Sequence, residues 1–332
     1  MSRRALIVGI DNYDKVSPLT GCVADAKSVQ QLLQRNQDGT PNYDCQILIA
    51  SRDLKTRVTR PQLRSALQSL FSDFPGEVLF YFSGHGAFTA TGGYLASSEA
   101  ELNDLGIPMQ EVVQLACGAR ASDILIMLDC CHSGDMGNAP ILNTGGQTNP
   151  LAVIRENMTI IAASRASEPS VETGGHGLFT SQLLDALDGG AADHLGWVTA
   201  PSVYAYIERH FDAWSQRPVY KSHAMSVPTV RKCAPLIDRV KLEELVKLFP
   251  DPHHRYQLDP EYEPEDEHGQ FHEPVNQHKV SIAHLLKAFR DVGLLKPTQT
   301  GEQLFWVARR SHTVELTARG REYWRLVKFG RI

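Results

Sequence analysis

The stretch LIMLDCCHSGD, residues 125–135, decides how this chain is interpreted. Its apolar start is typical of a strand that is covered on both faces of a sheet, and this strand runs into Asp129. Two adjacent cysteines, a histidine, a serine and a glycine follow at once. Two adjacent thiols are unusual at a strand end, and they raise the question of whether Cys130 or Cys131 takes part in chemistry.

The composition is that of a soluble globular protein. The chain has 332 residues, of which 42% are hydrophobic and 21% charged, and this predicts one large domain with a smaller one. The net charge of −5 disfavours a general binder of nucleic acid or of anionic membranes. The start MSRRALIVGIDNY predicts a strand rather than a signal peptide, and the sequence has no apolar run of membrane-spanning length. We therefore expect a cytoplasmic protein.

The cysteines indicate neither a disulfide framework nor a zinc site. The sequence contains six of them, and none of their spacings is the CxxC typical of such sites. We expect thiols.

Short apolar runs alternate with helical patterns over the first 233 residues. The runs lack polar alternation, as expected for strands of a mainly parallel sheet that helices cover on both sides. The sequence therefore predicts an α/β fold with three layers. The candidate strands are RALIVGI (4–10), CQILIA (45–50), EVLFYFS (77–83), DILIMLD (123–129) and NMTIIAAS (157–164).

The character of the sequence changes after Cys233. A helical segment, KLEELVKLF, precedes a stretch rich in proline, acidic residues and histidine, which predicts a linker. A further helix, candidate strands EQLFWVARR (302–310) and HTVELT (312–317), and a closing helix then follow the outline of a winged helix-turn-helix. The predicted organisation is a large domain at 1–235, a helix with a polar linker at 236–279, and a small α+β winged-helix-like module at 280–332.

Two of the predicted strands end in residues that acyl-transfer chemistry uses. His85 follows the first of them in EVLFYFSGHGAF, and the two cysteines follow the second in DILIMLDCCHSGD. If these strands are parallel neighbours, the histidine and a thiol meet at one edge of the sheet, where the imidazole can accept the thiol proton. Singly, such a cysteine is more often a small buried hydrophobe, and such a histidine a hydrogen-bonded core residue. Their occurrence at two strand ends, both with glycine turns, favours catalysis.

The motifs YFSGHG and LDCCHSG together resemble those of caspase-like cysteine peptidases, in particular the metacaspases and prokaryotic caspase-like proteins. The resemblance runs from ALIVGIDNY to about Pro235 and implies a caspase-like three-layer sandwich. By position in the motifs, it implies His85 as the catalytic histidine and Cys131 as the nucleophile. It also implies the backbone N–H groups of Gly86 and Cys131 as oxyanion donors. Cys130 stands where relatives often have serine or another small residue.

The resemblance further implies cleavage after Arg or Lys. In metacaspases an acidic pocket receives this cation, and Asp25 and Asp129 match its two carboxylates. Ser83 and Ser164 complete the predicted substrate-binding set. Asp25 has a second interpretation, since an acidic residue in the first turn of a helix interacts favourably with the helix dipole. The two roles can coexist.

Calcium-dependent metacaspases carry an acidic cluster where this chain has GIPMQEVV, with Pro108 and Met109 in place of the acids. Calcium needs several oxygen ligands, so we expect activity that requires neither a metal nor another cofactor. The segment 136–158 resembles the cleavable intersubunit linker of the family, which makes Arg155 the candidate self-processing site. A merely disordered loop is the alternative interpretation.

The C-terminal module has two interpretations. Lys287, Arg290 and a basic closing helix fit DNA binding, whereas aromatic residues such as Trp306 and Phe329 fit a core or a protein-binding face. The acidic linker and the net negative charge favour protein recognition or autoinhibition over nucleic acid. The histidines between residues 253 and 278 have irregular spacing and fit solvated side chains better than metal ligands.

The leading interpretation is a cysteine endopeptidase that cuts protein substrates after Arg or Lys, with a regulated, defence or stress-response role and no membrane attachment. One alternative is a catalytically silent caspase-like scaffold, against which the intact His85 and Cys131 argue. Another is a sensor joined to a DNA- or protein-binding winged helix. A salt-dependent DNA-binding assay of the isolated fragment 240–332 tests whether the module of this alternative binds DNA.

Overall fold

The computed structural model describes residues 2–89, 92–101, 104–130, 154–163, 176–211, 217–265, 268–270 and 275–332. The chain divides into two compact units, Met1–Ala234 and Pro235–Ile332. Within the described ranges, no helix combines the length and the apolar character needed to cross a membrane.

The N-terminal unit alternates strands and helices along the chain. Its strands are β1 (Arg3–Ile10), β2 (Asp44–Ala50), β3 (Glu77–Ser83), β4 (Gly86–Thr89), β5 (Gly92–Glu101), β6 (Asp104–Pro108), β7 (Asp123–Asp129), β8 (Met158–Ala162), β9 (Trp197–Thr199), β10 (Val219–His223) and β11 (Thr229–Lys232). Its α-helices are α1 (Cys22–Gln34), α2 (Arg60–Leu70), α3 (Met109–Gly118), α4 (Leu178–Asp185), which continues into a π-helical turn at 186–190, and α5 (Ala200–Glu208).

A six-stranded sheet with the order β10-β8-β7-β3-β1-β2 forms the centre of this unit. Five of its strands are parallel, and β10 pairs antiparallel with β8 at one edge. The predicted α/β fold with a mainly parallel sheet is therefore confirmed. All five predicted strands are present, and their ends lie within two residues of the predicted ends.

Two smaller sheets were not predicted. β4, β5 and β6 form a three-stranded antiparallel sheet, and β9 pairs with β11. Four of their strands are only three to five residues long, and glycine and polar residues interrupt the apolar run of the ten-residue β5, so they lack the signal that identifies a strand covered on both faces.

Alternation along β1 sends side chains to both faces of the large sheet. Leu6 and Val8 belong to one hydrophobic cluster, which includes residues of α2 and α3. Ala5 and Ile7 belong to a second cluster, which includes residues of α1, α4 and α5. Successive side chains of a strand point to opposite sides of its sheet, so the two clusters lie on opposite faces. Helices therefore cover both faces, and the unit has the predicted three layers.

The start of α1 is fixed by a carboxylate just beyond β1. One oxygen of Asp11 accepts the backbone N–H of Cys22 at 2.9 Å, and the other accepts that of Val23 at 3.2 Å. Gly9 permits this close approach, because a Cβ at residue 9 would collide with the carbonyl oxygen of Cys22. Asp11 thus satisfies N–H groups that a helix start leaves without partners, and it fixes the position of the first turn, which carries Asp25.

The C-terminal unit combines a small antiparallel sheet with helices. Its strands, in the sheet order β12-β14-β13, are β12 (Arg255–Gln257), β14 (Thr313–Leu316) and β13 (Leu295–Pro297). Its α-helices are α6 (Arg239–Leu248), α7 (Gln277–Asp291), α8 (Leu304–Arg309) and α9 (Ala318–Lys328). The core includes the buried rings of Phe249, Phe289 and Trp324, and the Trp324 indole N–H donates to the Phe249 carbonyl at 2.7 Å.

The predicted strand over 302–310 is wrong, since this segment contains α8. Leu304, Val307 and Ala308 are its buried residues, and their spacing is helical although the composition of the segment favours a strand. The stretch predicted as a polar linker also contains ordered structure: β12 pairs with β14, and Glu263 forms an ion pair with Lys287 of α7 at 2.9 Å. The winged-helix description of this unit stays a prediction.

Asp11→Ala is expected to lower the free energy of unfolding by about 1 to 2 kcal/mol, because two N–H groups at the start of α1 lose their acceptor. Urea unfolding followed by circular dichroism measures the change. Asp53→Ala is the matched control, since Asp53 is exposed in a turn, and its effect is expected to stay within about 0.5 kcal/mol. Equal stability of the two variants would contradict the capping role.

Candidate active site

The carboxyl ends of β3 and β7 lie side by side. The two strands are parallel neighbours, and their register places Ser83 opposite Asp129. The backbone N–H of Gly84 donates to the carbonyl of Asp129 at 3.3 Å, which continues the pairing to the residue just before His85. The predicted pairing of these two strands is therefore confirmed, and it brings the end of YFSGHG next to the start of DCC.

His85 is held by contacts on two sides. Its backbone N–H donates to the hydroxyl of Tyr13 at 2.8 Å, and the two rings lie 4.8 Å apart. Its Nε2 lies 2.8 Å from the carbonyl oxygen of Ser17. Because a carbonyl oxygen only accepts, Nε2 carries the hydrogen of this bond. In the neutral ring, Nδ1 is then the nitrogen that can accept a proton.

Asp25 lies in a buried network at the same edge. The side chain of this α1 residue is 3% exposed. Its Oδ2 accepts a hydrogen bond from the Ser83 hydroxyl at 2.9 Å, and its Oδ1 accepts one from Nδ1 of His176 at 2.7 Å. The carboxylate therefore points at the end of β3, and Asp11 supplies the cap of α1 instead.

Asp129 has its own donor. Its Oδ2 accepts from the hydroxyl of Thr180, on α4, at 2.7 Å. The Thr180 oxygen lies 2.6 Å from the Tyr81 hydroxyl, and since Thr180 gives its hydrogen to Asp129, Tyr81 donates in this second bond. Asp129 is 5% exposed, so the site contains two buried carboxylates.

The two carboxylates interact unfavourably with each other. Burial, followed by repulsion from Asp129, raises the pKa of Asp25 to about 6, and the hydrogen bonds from His176 and Ser83 oppose this rise. A carboxyl pKa of about 6 instead of about 3.9 corresponds to roughly 3 kcal/mol of unfolding free energy lost once Asp25 is ionised. Two buried carboxylates that repel each other lower the stability of the fold, so a purely structural role does not explain them.

The Caspase domain family matches residues 2–229, which is more than half of the chain. This chain belongs to the caspase domain family. The family is one of cysteine-type endopeptidases, and the paired strand ends described above lie within the matched region.

Similar proteins include several metacaspases. Metacaspase-1 of Mycosarcoma maydis is 29% identical over 160 residues, covering 43% of this chain and 38% of the relative. Metacaspase-5 of Trypanosoma brucei brucei is 27% identical over 164 residues, covering 43% and 31%. Metacaspase-5 of Trypanosoma cruzi is 26% identical over 226 residues, covering 58% and 49%. The chain thus spans less than half the length of each of these relatives.

Of the other residues singled out in the caspase domain, the structure describes Gly86 and Cys130 but not Cys131 and Ser164. Cys131 and Ser164 lie outside the described residues, and their roles stay predictions. Gly86 begins β4 and pairs with Leu95, immediately after His85. Cys130 is 2% exposed and belongs to the core cluster that contains α2 and α3, which agrees with a packing role for this thiol.

Arg155 lies at the opposite end of the sheet. It precedes β8, and its guanidinium donates to the carbonyls of Ala119 and Ala121 at 2.6 and 2.7 Å, just before β7 begins. These bonds give Arg155 a role in joining the amino ends of the two strands. Self-processing at this residue stays a prediction.

The region where calcium-dependent metacaspases carry acids is built differently here. Met109 is 2% exposed and packs in the core, while Asp104 and Glu111 form ion pairs with Arg60 and Arg64 at 2.5 and 2.6 Å. Among the residues that the structure describes, no group of three His, Cys, Asp or Glu side chains is arranged to hold a metal ion. The expectation that activity requires no metal stays a prediction.

Sequence reasoning missed His176 and Thr180. Both belong to the segment GHGLFTSQLLDAL at the start of α4, which carries no catalytic motif. A threonine in the first turn of a helix is a weak signal, because threonine is common at helix starts for local reasons, and no motif marks the histidine before it. Their partners Asp25 and Asp129 are distant in sequence, and only the fold joins them.

Asp25→Asn is expected to stabilise the fold at pH 8 by roughly 1 to 3 kcal/mol, because it removes a buried charge that Asp129 repels. The pKa of Asp25 is raised on folding, so its ionisation cost is present above about pH 6 and disappears towards pH 4. Urea unfolding at pH 8 and pH 5 measures the gain, which should shrink at the lower pH. A variant less stable than the parent at pH 8 would support the dipole interpretation instead, and Asp53→Asn controls for surface charge.

Proposed function

We propose that this chain is a cysteine endopeptidase that hydrolyses peptide bonds after Arg or Lys. The observation that carries the proposal is the pair of buried carboxylates, Asp25 and Asp129, beside the strand end that leads to His85. Two acids in a partly desolvated site favour a guanidinium or ammonium group and reject an acidic side chain. Ser83 and Ser164 are proposed to line the same pocket.

The proposed mechanism uses His85 as the base and Cys131 as the nucleophile. Nδ1 of His85 accepts the thiol proton, and the sulfur attacks the carbonyl carbon of the residue bound between the two acids. The backbone N–H groups of Gly86 and Cys131 are proposed to donate to the developing oxyanion. His85 then gives the proton to the leaving amine, and water hydrolyses the thioester and restores the thiol.

The orientation of His85 supports an active enzyme over a silent scaffold. The bond from Nε2 to the Ser17 carbonyl leaves Nδ1 as the basic nitrogen, and the Tyr13 hydroxyl fixes the backbone of the same residue. The restraint of this ring therefore favours a residue prepared for proton transfer.

The C-terminal unit is proposed to recognise a protein partner or to regulate the peptidase. Trp306 and Phe329 are 37% and 71% exposed, which suits a protein-binding face. A winged-helix-like module that binds DNA remains the alternative, and α9 supplies Arg319, Arg321, Arg325 and Lys328 to such a surface. A regulated role in defence or stress, a cytoplasmic location and the lack of a required metal are part of the same proposal.

Cys131→Ala is expected to abolish cleavage of an Arg peptide, because Cys131 is the thiol at the proposed nucleophile position. Cys130→Ser should retain most of the activity, since the buried Cys130 contributes packing. Initial rates with Arg and Asp peptides of the same sequence measure both points. Equal loss in the two variants would show that the assignment of the thiols is wrong, and faster cleavage of the Asp peptide by the parent enzyme would refute the acidic pocket.

His85→Ala is expected to lower kcat by at least about a hundredfold, because the thiol loses its proton acceptor. The rate of alkylation by iodoacetamide at pH 7 gives an independent readout, and it should fall in parallel. His210→Ala is the control, since this exposed histidine lies on the surface after α5. Unchanged alkylation of Cys131 in His85→Ala would show that another group activates the thiol.

A further inference from the structure

His176 is a neighbour of Asp25 that the proposed mechanism does not use. Its Nδ1 lies 2.7 Å from Asp25 Oδ1, within ordinary hydrogen-bond distance. The imidazole is 24% exposed whereas the carboxylate is 3% exposed, so the histidine connects a buried acid to solvent.

The other ionisable groups around Asp25 leave its charge uncompensated. Asp129 on β7 repels it, and burial raises the pKa of both the Cys22 thiol on α1 and the Tyr81 hydroxyl on β3, so these two stay neutral. Ser83 donates a neutral hydrogen bond. Among the described groups that interact with Asp25, His176 is thus the one able to supply both a hydrogen bond and positive charge.

Resting on the proposed function, we propose that His176 is a positioning residue that keeps Asp25 ionised and oriented for the substrate cation, and so sets the lower pH limit for cleavage after Arg or Lys. The imidazole fixes one carboxylate oxygen and Ser83 fixes the other, which leaves further lone pairs of Asp25 for the substrate. A neutral donor at this place stabilises the anion without neutralising the pocket.

The direction of the effect follows from this geometry. Without the imidazole, Asp25 keeps its burial and its repulsion from Asp129 but loses a donor to its charged form. It then takes up a proton at a higher pH, and a neutral carboxyl pairs weakly with a guanidinium. The opposite effect would arise if a protonated His176 competed with the substrate cation for Asp25. Removal would then extend Arg cleavage to lower pH.

The test compares two peptides that differ only at the residue before the scissile bond, one with Arg and one with citrulline, its neutral analogue of nearly the same shape. The ratio of their kcat/KM values is measured from pH 5.5 to 9 for the parent enzyme, His176→Phe and His176→Gln. Both peptides depend equally on His85 and the thiol, so the ratio reports the charge of the pocket. His210→Phe is the matched control.

In His176→Phe, the midpoint at which the ratio falls should move up by about one pH unit. The ratio should fall about fivefold at pH 6 and about twofold at pH 7, with recovery towards pH 9 and little change for the citrulline peptide. His176→Gln keeps an N–H donor and should lie closer to the parent. An unchanged midpoint, or one that moves down, would overturn the proposal.

Two further outcomes separate folding and pocket effects. If His176→Phe does not fold, His176→Ala takes its place, and cleavage of the citrulline peptide reports the folded fraction of either variant. If the parent enzyme itself cuts both peptides equally well at every pH, the acidic pocket of the proposed function is refuted, which is distinguishable from a failure of the role of His176 alone.

Discussion

The parallel pairing of β3 with β7 is the constraint on which the site depends. It sets Ser83 level with Asp129 and carries the chain from Ser83 through Gly84 to His85 at the same edge. Both strands are buried along almost their whole length, so a slip of their register would remove apolar side chains from both layers of the core. The hydrophobic sandwich therefore fixes the positions of the polar groups at its rim.

The two buried carboxylates work against the stability that this sandwich provides. Ser83, His176 and Thr180 each donate a hydrogen bond to them, and in the neutral form of His176 none of these donors cancels a negative charge. Such an arrangement satisfies the oxygens and keeps the pocket attractive to a cation. The cost in folding free energy at neutral pH is the physical reason to expect that Asp25 is retained for function.

The parts predicted from the sequence are those with a strong local signal. Continuous apolar runs identified the five strands, and the glycine-flanked motifs after two of them indicated His85 and the cysteines. α8 was predicted as a strand because its aromatic and β-branched residues outweighed a helical spacing that spans less than two turns. His176 carried no signal, because its partner Asp25 lies 151 residues away and only the packing of α1 and α4 on one face brings them together.

The most direct measurement is covalent labelling with peptidyl chloromethyl ketones of one sequence that end in Arg, citrulline or Asp, followed by peptide mass spectrometry. The Arg reagent should alkylate Cys131 at least about ten times faster than the citrulline reagent, because a charge pair with a buried carboxylate is worth more than 1.4 kcal/mol. The Asp reagent should label it more slowly still, and Cys130 should stay unmodified. Equal rates for the three reagents, or alkylation of Cys130 in place of Cys131, would contradict a thiol peptidase with an acidic pocket at this edge of the sheet.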